Sequence, residues 1–344
     1  MALEYEIRGS KLLWMKNPVT GVISYVVDLR GKSFAFTLSG REHHPPGIGA
    51  LDESAIKHAI ATCPFCPGNE EQTTAEIFRI TRDEMPHWKG DPTTQTSPWI
   101  IRVINNLFPR IPAELTGDRN ESYVVIEDPR HFVEMPRTQA DLAYTGILGE
   151  EHFVKLIETD ARVMVHAFHN REVKAIAVRK NQGRESGASQ PHVHQQIIGS
   201  PRSLPAVAQE ASAARETPGL FNEMIDLFDR LELIVENQHG IVTYASPIGL
   251  FPRSYDVVMP KHLGLLTDLD VHELSAFARA LYRILRILGP LPLDYEIHQG
   301  EGLPLHAHIN ARLYPYSNVA GTLNVPSTLL HSATAIRKAL GSDE

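Results

Sequence analysis

Gly187-Ala188-Ser189-Gln190-Pro191-His192-Val193-His194-Gln195-Gln196-Ile197-Ile198 is the stretch on which the reading of this chain turns. Its β-branched residues and the stop at Gly199-Ser200-Pro201 predict a strand from His192 to Ile198. Alternate residues of a strand share a face, so His192, His194 and Gln196 line one side of it. Three polar groups in register inside an apolar strand are costly unless a metal, a phosphate or one another satisfies them. The preceding loop, Asn181 to Gln190, is rich in glycine and small polar residues. Such a loop can offer N–H groups and a hydroxyl to a phosphate, although a plain flexible loop has the same composition.

Working outward, the whole thiol content of the chain is Cys63-Pro64-Phe65-Cys66. Two thiolates at this spacing can grip one tetrahedral ion; thiol redox chemistry and simple burial are the alternatives. With only 2 cysteines and 17 histidines, further ligands must be histidines or carboxylates. His131 and His192, each at a strand edge in the same half, are the candidates.

The order of elements recurs. Tyr123 to His131 and Tyr255 to His262 are both an apolar strand followed by a proline, a basic residue and a histidine. Apolar residues at helical spacing between Gly149 and His169 precede a strand from Val173 to Val178; Asp270 to Leu288 reads as a helix preceding a strand from Leu293 to His298. Leu305 to Asn310 is then a strand with a second H-x-H, His306 and His308. His308 is read as the repeat position of His194, with Asn310 in place of the glutamine and no Gly-Ser loop before it, so the second unit is expected to be non-catalytic. The reading is a duplicated α+β chain of two tandem units, 1–215 and 216–344, dividing in the polar stretch around Arg215-Glu216-Thr217-Pro218-Gly219.

Composition narrows the function. At 42% hydrophobic and 22% charged the chain is globular rather than disordered. The net charge of −8, with 33 dispersed Lys and Arg, argues against a broad nucleic-acid face. No window approaches the roughly 18 apolar residues of a membrane helix. Charges scattered from Met1 to Pro18 do not suit a signal peptide, so a soluble, cytoplasmic protein is expected.

The series Cys63-Pro64-x-Cys66-Pro67-Gly68-Asn69, Asn105, His131, Asn181-x-Gly183, Gly187-x-Ser189-x-Pro191-His192-x-His194-x-Gln196 and Leu305-His306-Ala307-His308 resembles the galactose-1-phosphate (hexose-1-phosphate) uridylyltransferase family, a branch of the histidine-triad superfamily. The resemblance implies two tandem histidine-triad-like units of antiparallel sheet with packed helices. It implies His194 as a nucleophile that takes a nucleoside monophosphate from a nucleotide sugar, Gln196 as the hydrogen-bond donor to the phosphoryl oxygen, and a sugar 1-phosphate as the acceptor. A related outcome is phosphorolysis, with phosphate as acceptor; a decayed nucleotide-binding protein is the non-enzymatic alternative. Gly187 and Ser189 are implied to hold the β-phosphate, and Asn105, Asn106 and Asn181 the nucleoside and its phosphates. Structural zinc is implied on Cys63, Cys66, His131 and His192, and a second metal, iron or zinc, on Glu210, His298, His306 and His308. Arg30, in Asp28-Leu29-Arg30-Gly31-Lys32-Ser33, is the retained arginine of a segment that in the family reaches substrate phosphate across a homodimer interface. Ser317 to Leu323 replaces the family's hexose-binding Lys-Phe-x-x-Gly-x-Glu, so a substrate other than galactose is expected. His43-His44 reads as an exposed loop pair.

Overall fold

The structure, a computed structural model, describes residues 3–27, 52–90, 94–111, 113–117, 119–138, 140–249, 251, 253–312, 318–319, 322–326 and 329–341. Arg30 and His43-His44 lie outside the described residues, as do Ser317, Ala320 and Gly321 of the Ser317 to Leu323 stretch.

Residues near the start form β1 (Tyr5–Arg8), β2 (Lys11–Lys16) and β3 (Ile23–Val27). Then come α1 (Glu53–Thr62), β4 (Glu76–Ile80), β5 (Ile101–Asn105), β6 (Ser122–Ile126), α2 (Glu150–Phe168), β7 (Ala175–Gln182) and β8 (His194–Ser200). Two helices, α3 (Pro205–Glu216) and α4 (Leu220–Arg230), lead to β9 (Ile234–Gln238), β10 (Ile241–Ala245), β11 (Ser254–Leu263) and α5 (Val271–Leu288). The chain closes with β12 (Leu293–Gly300), β13 (Leu303–Ala311), β14 (Asn318–Val319), β15 (Thr322–Pro326) and α6 (Leu329–Gly341).

The strands build two sheets, giving the α+β class expected. The smaller has the order β1-β2-β3-β15-β14 and is antiparallel except where β15 runs parallel to β3. The larger is antiparallel throughout, with the order β4-β5-β6-β8-β7-β12-β13-β11-β10-β9. Its two halves mirror each other about the β7–β12 seam, where Arg179 stands opposite Glu296.

Alternation sorts the side chains of this sheet. Val178, Ile197, Ile297, Ala307 and Val257 face the helical side and are all buried. There α2 and α5 pack together, with Phe153 and Tyr282 rings 5.4 Å apart. Burial of one such large apolar side chain contributes about 1.5–3 kcal/mol. An Asp270/Glu273 capping box starts α5: Asp270 Oδ1 accepts from the His272 and Glu273 N–H groups at 2.8 and 2.9 Å. The opposite face carries His194, Gln196, Arg179, Glu296, His306 and His308.

Two strand limits differ from the sequence expectation. The strand expected to end at Val178 runs on to Gln182, because β12 from the second half pairs with it along residues 178–182. The strand expected from His192 begins at His194; Pro191 has no N–H to give a ladder, and residues 192 and 193 are recruited elsewhere.

Candidate active site and two candidate metal clusters

The C-x-x-C follows directly on α1, whose last turn accepts the Cys63 N–H at 3.3 Å. Asn69 Nδ2 donates to the Ile60 and Cys63 carbonyls at 2.9 and 2.8 Å and so fixes the turn. Both sulfurs are buried and meet two imidazoles. Cys66 Sγ lies 3.3 Å from His131 Nδ1 and 3.5 Å from His192 Nδ1, and Cys63 Sγ lies 3.7 Å from His192 Nδ1. For one tetrahedral ion with S at roughly 2.3 Å and N at roughly 2.0 Å, the S···N edge is about 3.5 Å. The four residues therefore fit a metal ion, and their ligand atoms all lie within 4.8 Å of one another. His192 Nε2–H donates to the Asp128 carbonyl at 2.8 Å, which leaves Nδ1 for the cluster. The Cys66 S–H bond to Cys63, with the two imidazoles, pulls the Cys63 thiol down, and the same bond pushes Cys66 up.

His194 opens β8 just beyond this cluster. Its Nδ1–H donates to the His192 carbonyl at 2.8 Å, which directs the Nε2 lone pair outward. Burial lowers its pKa to about 4, with the Lys180 charge acting in the same direction, so the ring is neutral at pH 7. The Phe65 ring edge contacts it at 5.4 Å between centroids. The residue beside the thiols and the residue presenting a free nitrogen are thus joined by one hydrogen bond from a side chain to a main-chain carbonyl.

In front of His194 is a cavity of about 520 Å³ lined by Tyr144, Asn181, Gly183, Arg184, Ser189 and Gln190 among others. Gly183 and Gly187 have φ of +80° and +90°, which L side chains rarely adopt. Ser186 Oγ donates to the Gln182 and Gly183 carbonyls, both at 2.8 Å, and Gln182 Nε2 reaches the Gly289 and Leu291 carbonyls at 2.9 and 2.8 Å. The glycine-rich loop is therefore tied to the second half of the chain. Asn181 donates to the Ser186 carbonyl, so its amide organises the loop from within. Ser189 and Gly187 are exposed on the loop.

Asn105 and Asn106 are not brought to this cavity. The ladder puts Asn105 on the face opposite Gln196. Asn106 is buried, donating to Ser122 Oγ at 3.1 Å and accepting the Phe108 N–H at 3.0 Å.

The second cluster lies on the same sheet face in the other half. Glu210, mid-way along α3, bonds His298 Nδ1 at 2.7 Å and stands 3.5 Å from both His306 Nε2 and His308 Nε2. Burial opposes ionisation of Glu210, but bonds from His298, His306 and His308 hold its pKa far below the usual range. The ligand atoms again lie within 4.8 Å of one another. His308 Nδ1 bonds Asp256 at 2.6 Å and His306 Nδ1 bonds the Pro304 carbonyl at 2.7 Å, so both Nε2 atoms face the centre. Three imidazoles and a carboxylate suit iron or zinc.

The ladders correct the internal alignment. Ile126 pairs with His194 and Val258 with His306, each three residues beyond its repeat tyrosine, Tyr123 and Tyr255. Both histidines bond Nδ1 to the carbonyl two residues earlier. His306, rather than His308, therefore stands where His194 does, and His308 stands where Gln196 does.

Sequence reasoning passed over Asp256 and the Lys180–Glu127 pair. Lys180 and Glu127 form a buried ion pair; Thr145 Oγ1 donates to Glu127 at 2.8 Å, and Lys180 Nζ donates to the His194 carbonyl at 3.2 Å. A local signal was available for Asp256, a charge between Tyr255 and Val257 in an apolar strand; Lys180, between Arg179 and Asn181, and Glu127, beyond the end of β6, carried none.

Residues 115–253 match a family described as a domain of unknown function, DUF4921. An ADP-glucose phosphorylase of Arabidopsis thaliana is 26% identical over 264 residues, 69% of this chain and 67% of that protein. The crystal structure of an ADP-glucose phosphorylase from Arabidopsis thaliana with bound ADP-glucose superimposes with a TM-score of 0.66 at 20% identity, covering 94% of this chain and 98% of that one. A uridylyltransferase structure gives 0.60 at 19% identity, over 96% and 99%. The chain thus has the fold of enzymes that act on nucleotide sugars. The shared fold agrees with the resemblance drawn from the sequence motifs. No helix among the described residues is long and apolar enough to cross a membrane.

Proposed function

We propose that this protein is a nucleotidyltransferase that carries a nucleoside monophosphate on His194. The observation carrying this reading is the single hydrogen bond from His194 Nδ1 to the His192 carbonyl, which makes Nε2 a neutral, aimed nucleophile beside the Cys63-Cys66-His131-His192 cluster. Nε2 attacks the α-phosphorus of a nucleotide sugar as the bond to the β-phosphoryl oxygen breaks, and sugar 1-phosphate leaves with the electron pair. Gln196 donates to the phosphoryl oxygen, and the Gly187 to Ser189 loop receives the β-phosphate. Cys63, Cys66, His131 and His192 would hold zinc, which would supply structural support for the strand that carries His194 rather than chemistry.

Phosphate is the acceptor in the reading favoured by the ADP-glucose phosphorylase relative, which makes the protein a nucleoside-diphosphate-sugar phosphorylase. Transfer to a hexose 1-phosphate is the second reading, supported by the similarity to a uridylyltransferase. The catalytic unit is residues 1–215 and the non-catalytic unit 216–344, the latter contributing His298, His306 and His308 of the second metal cluster and the former Glu210. A cytoplasmic homodimer with Arg30 serving the neighbouring chain belongs to the same reading.

Incubation with radiolabelled ADP-glucose or UDP-glucose, followed by mass spectrometry of the intact protein, is expected to show an acid-labile nucleotidyl adduct that is absent in His194→Ala. No adduct with any nucleotide sugar would sink the proposal. Offering phosphate or galactose 1-phosphate to the adduct decides the acceptor.

A further inference from the structure

Arg179 has no part in the reaction as described. On β7 it stands directly opposite Gln196 of β8 and Glu296 of β12, so its side chain leaves the sheet on the face that carries His194. Diagonal neighbours across a ladder are within reach of a long side chain. The guanidinium is largely covered, its side chain 19% exposed. Nη2 donates to Asn181 Oδ1 at 2.9 Å, but Nε is buried and finds no hydrogen-bond partner among the described residues. The closest approach of Glu296 to Nε is 3.6 Å, and a Glu296 oxygen also stands 3.6 Å from His298 Nε2. An unbonded buried N–H on a permanently charged, forked donor is costly, and a tetrahedral oxyanion is the ligand that relieves it.

We propose that Arg179 anchors the phosphate dianion that accepts the nucleotidyl group, a role that rests on the His194 reading. An acceptor oxygen forms its bond to the nucleotidyl phosphorus as the P–Nε2 bond breaks. The electron pair returns to the imidazole, His194 keeps its Nδ1–H throughout, and nothing is oxidised or reduced. Arg179 offsets the repulsion between the incoming dianion and the charged nucleotidyl phosphate. Inorganic phosphate and a sugar 1-phosphate share this chemistry, and Glu296 beside Arg179 gives a hydroxyl-bearing acceptor a second contact.

The test uses full-length protein carrying the radiolabelled adduct, freed of small molecules and mixed with inorganic phosphate in one arm and glucose 1-phosphate in the other. Arg179→Met is expected to slow discharge by about 100-fold in the arm that serves the unaltered protein, and to slow adduct formation with it, because the departing phosphoryl group leaves along the path by which the acceptor enters. Arg179→Lys is expected to restore part of the rate. Equal discharge in Arg179→Met and the unaltered protein overturns the proposal. Calorimetric titration of unlabelled protein with inorganic phosphate gives an independent reading: Kd rises about 10-fold or more in Arg179→Met and is unchanged in His194→Ala. If no adduct forms at all, the nucleotidyltransferase reading falls, and the titration still decides the anchor. Phosphate affinity equal in Arg179→Met and the unaltered protein overturns it.

Discussion

Each half of the ten-stranded sheet presents an H-x-H pair on the same face, and the two pairs do different work. In the first half His192 Nδ1 turns to the thiols while His194 keeps Nε2 free above a cavity. In the second half His306 and His308 both turn Nε2 onto Glu210. The two pairs are offset by two residues along equivalent strands, and what surrounds them differs. A C-x-x-C reaches the first pair and draws off only one imidazole. A glutamate from α3 sits among three imidazoles in the second and engages them all. The seam repeats the contrast, with Arg179 on the first side and Glu296 on the second. Behind the sheet, the buried Lys180–Glu127 pair of the first half faces apolar Ile297 and Met259 at the matching places of the second.

The largest expected effect breaks this symmetry outright. His194→Ala should cost at least about 10⁴-fold in nucleotide-sugar turnover. His306→Ala should leave the covalent adduct detectable by intact-mass measurement; equal loss in both would end the division of labour.

Metal content sharpens the same contrast. Cys66→Ser should lose one equivalent of metal and several kcal/mol of stability together, because a closed four-ligand site contributes directly to folding. Elemental analysis and urea denaturation of one sample measure both. Treatment with a chelator should empty the carboxylate–imidazole cluster before the thiolate cluster, read as the order of metal release.

Next in size is the ion pair behind the strand. Lys180→Met should destabilise the fold by about 3–5 kcal/mol, since it strands the Glu127 carboxylate in the interior. The double change Lys180→Ile with Glu127→Met, copying the second half, should recover most of that loss in urea midpoints yet lower the rate of adduct formation, because the His194 carbonyl loses a donor. A double variant no more stable than the single one would refute the comparison.

The smallest effect concerns Asp160 on α2, which accepts from Gln195 and is buried; burial raises its pKa well above the ordinary 3.8. A raised folded-state value means that its contribution is complete below pH 3.8 and is lost as pH rises toward the folded value. Asp160→Asn should therefore flatten the decline in stability between pH 4 and neutrality, as followed by urea midpoints across that range. An unchanged slope would show that Asp160 is not the group responsible.

Much of the site was legible because its signals are local. C-x-x-C spacing, strand alternation in His192-Val193-His194 and the second H-x-H are each contained within a few residues. The grouping of Glu210 with His298, His306 and His308 came through resemblance alone, for nothing within α3 distinguishes that carboxylate from a solvated one. Arg179, Lys180 and Asp256 were missed because their meaning depends on what stands across the ladder, and cross-strand register is set by packing and bulges far away in the chain.

By itself the amino-acid order determined the duplicated α+β plan, the thiol pair and which imidazoles share a face, since helical and strand periodicity act over neighbouring residues. Only the tertiary structure decided that His306 is the counterpart of His194, that Asn106 is occupied in a turn, and that an arginine and a glutamate meet on the seam. Those outcomes depend on contacts between residues 16 to 117 positions apart, where burial and hydrogen bonds across the fold, not local preference, select the register.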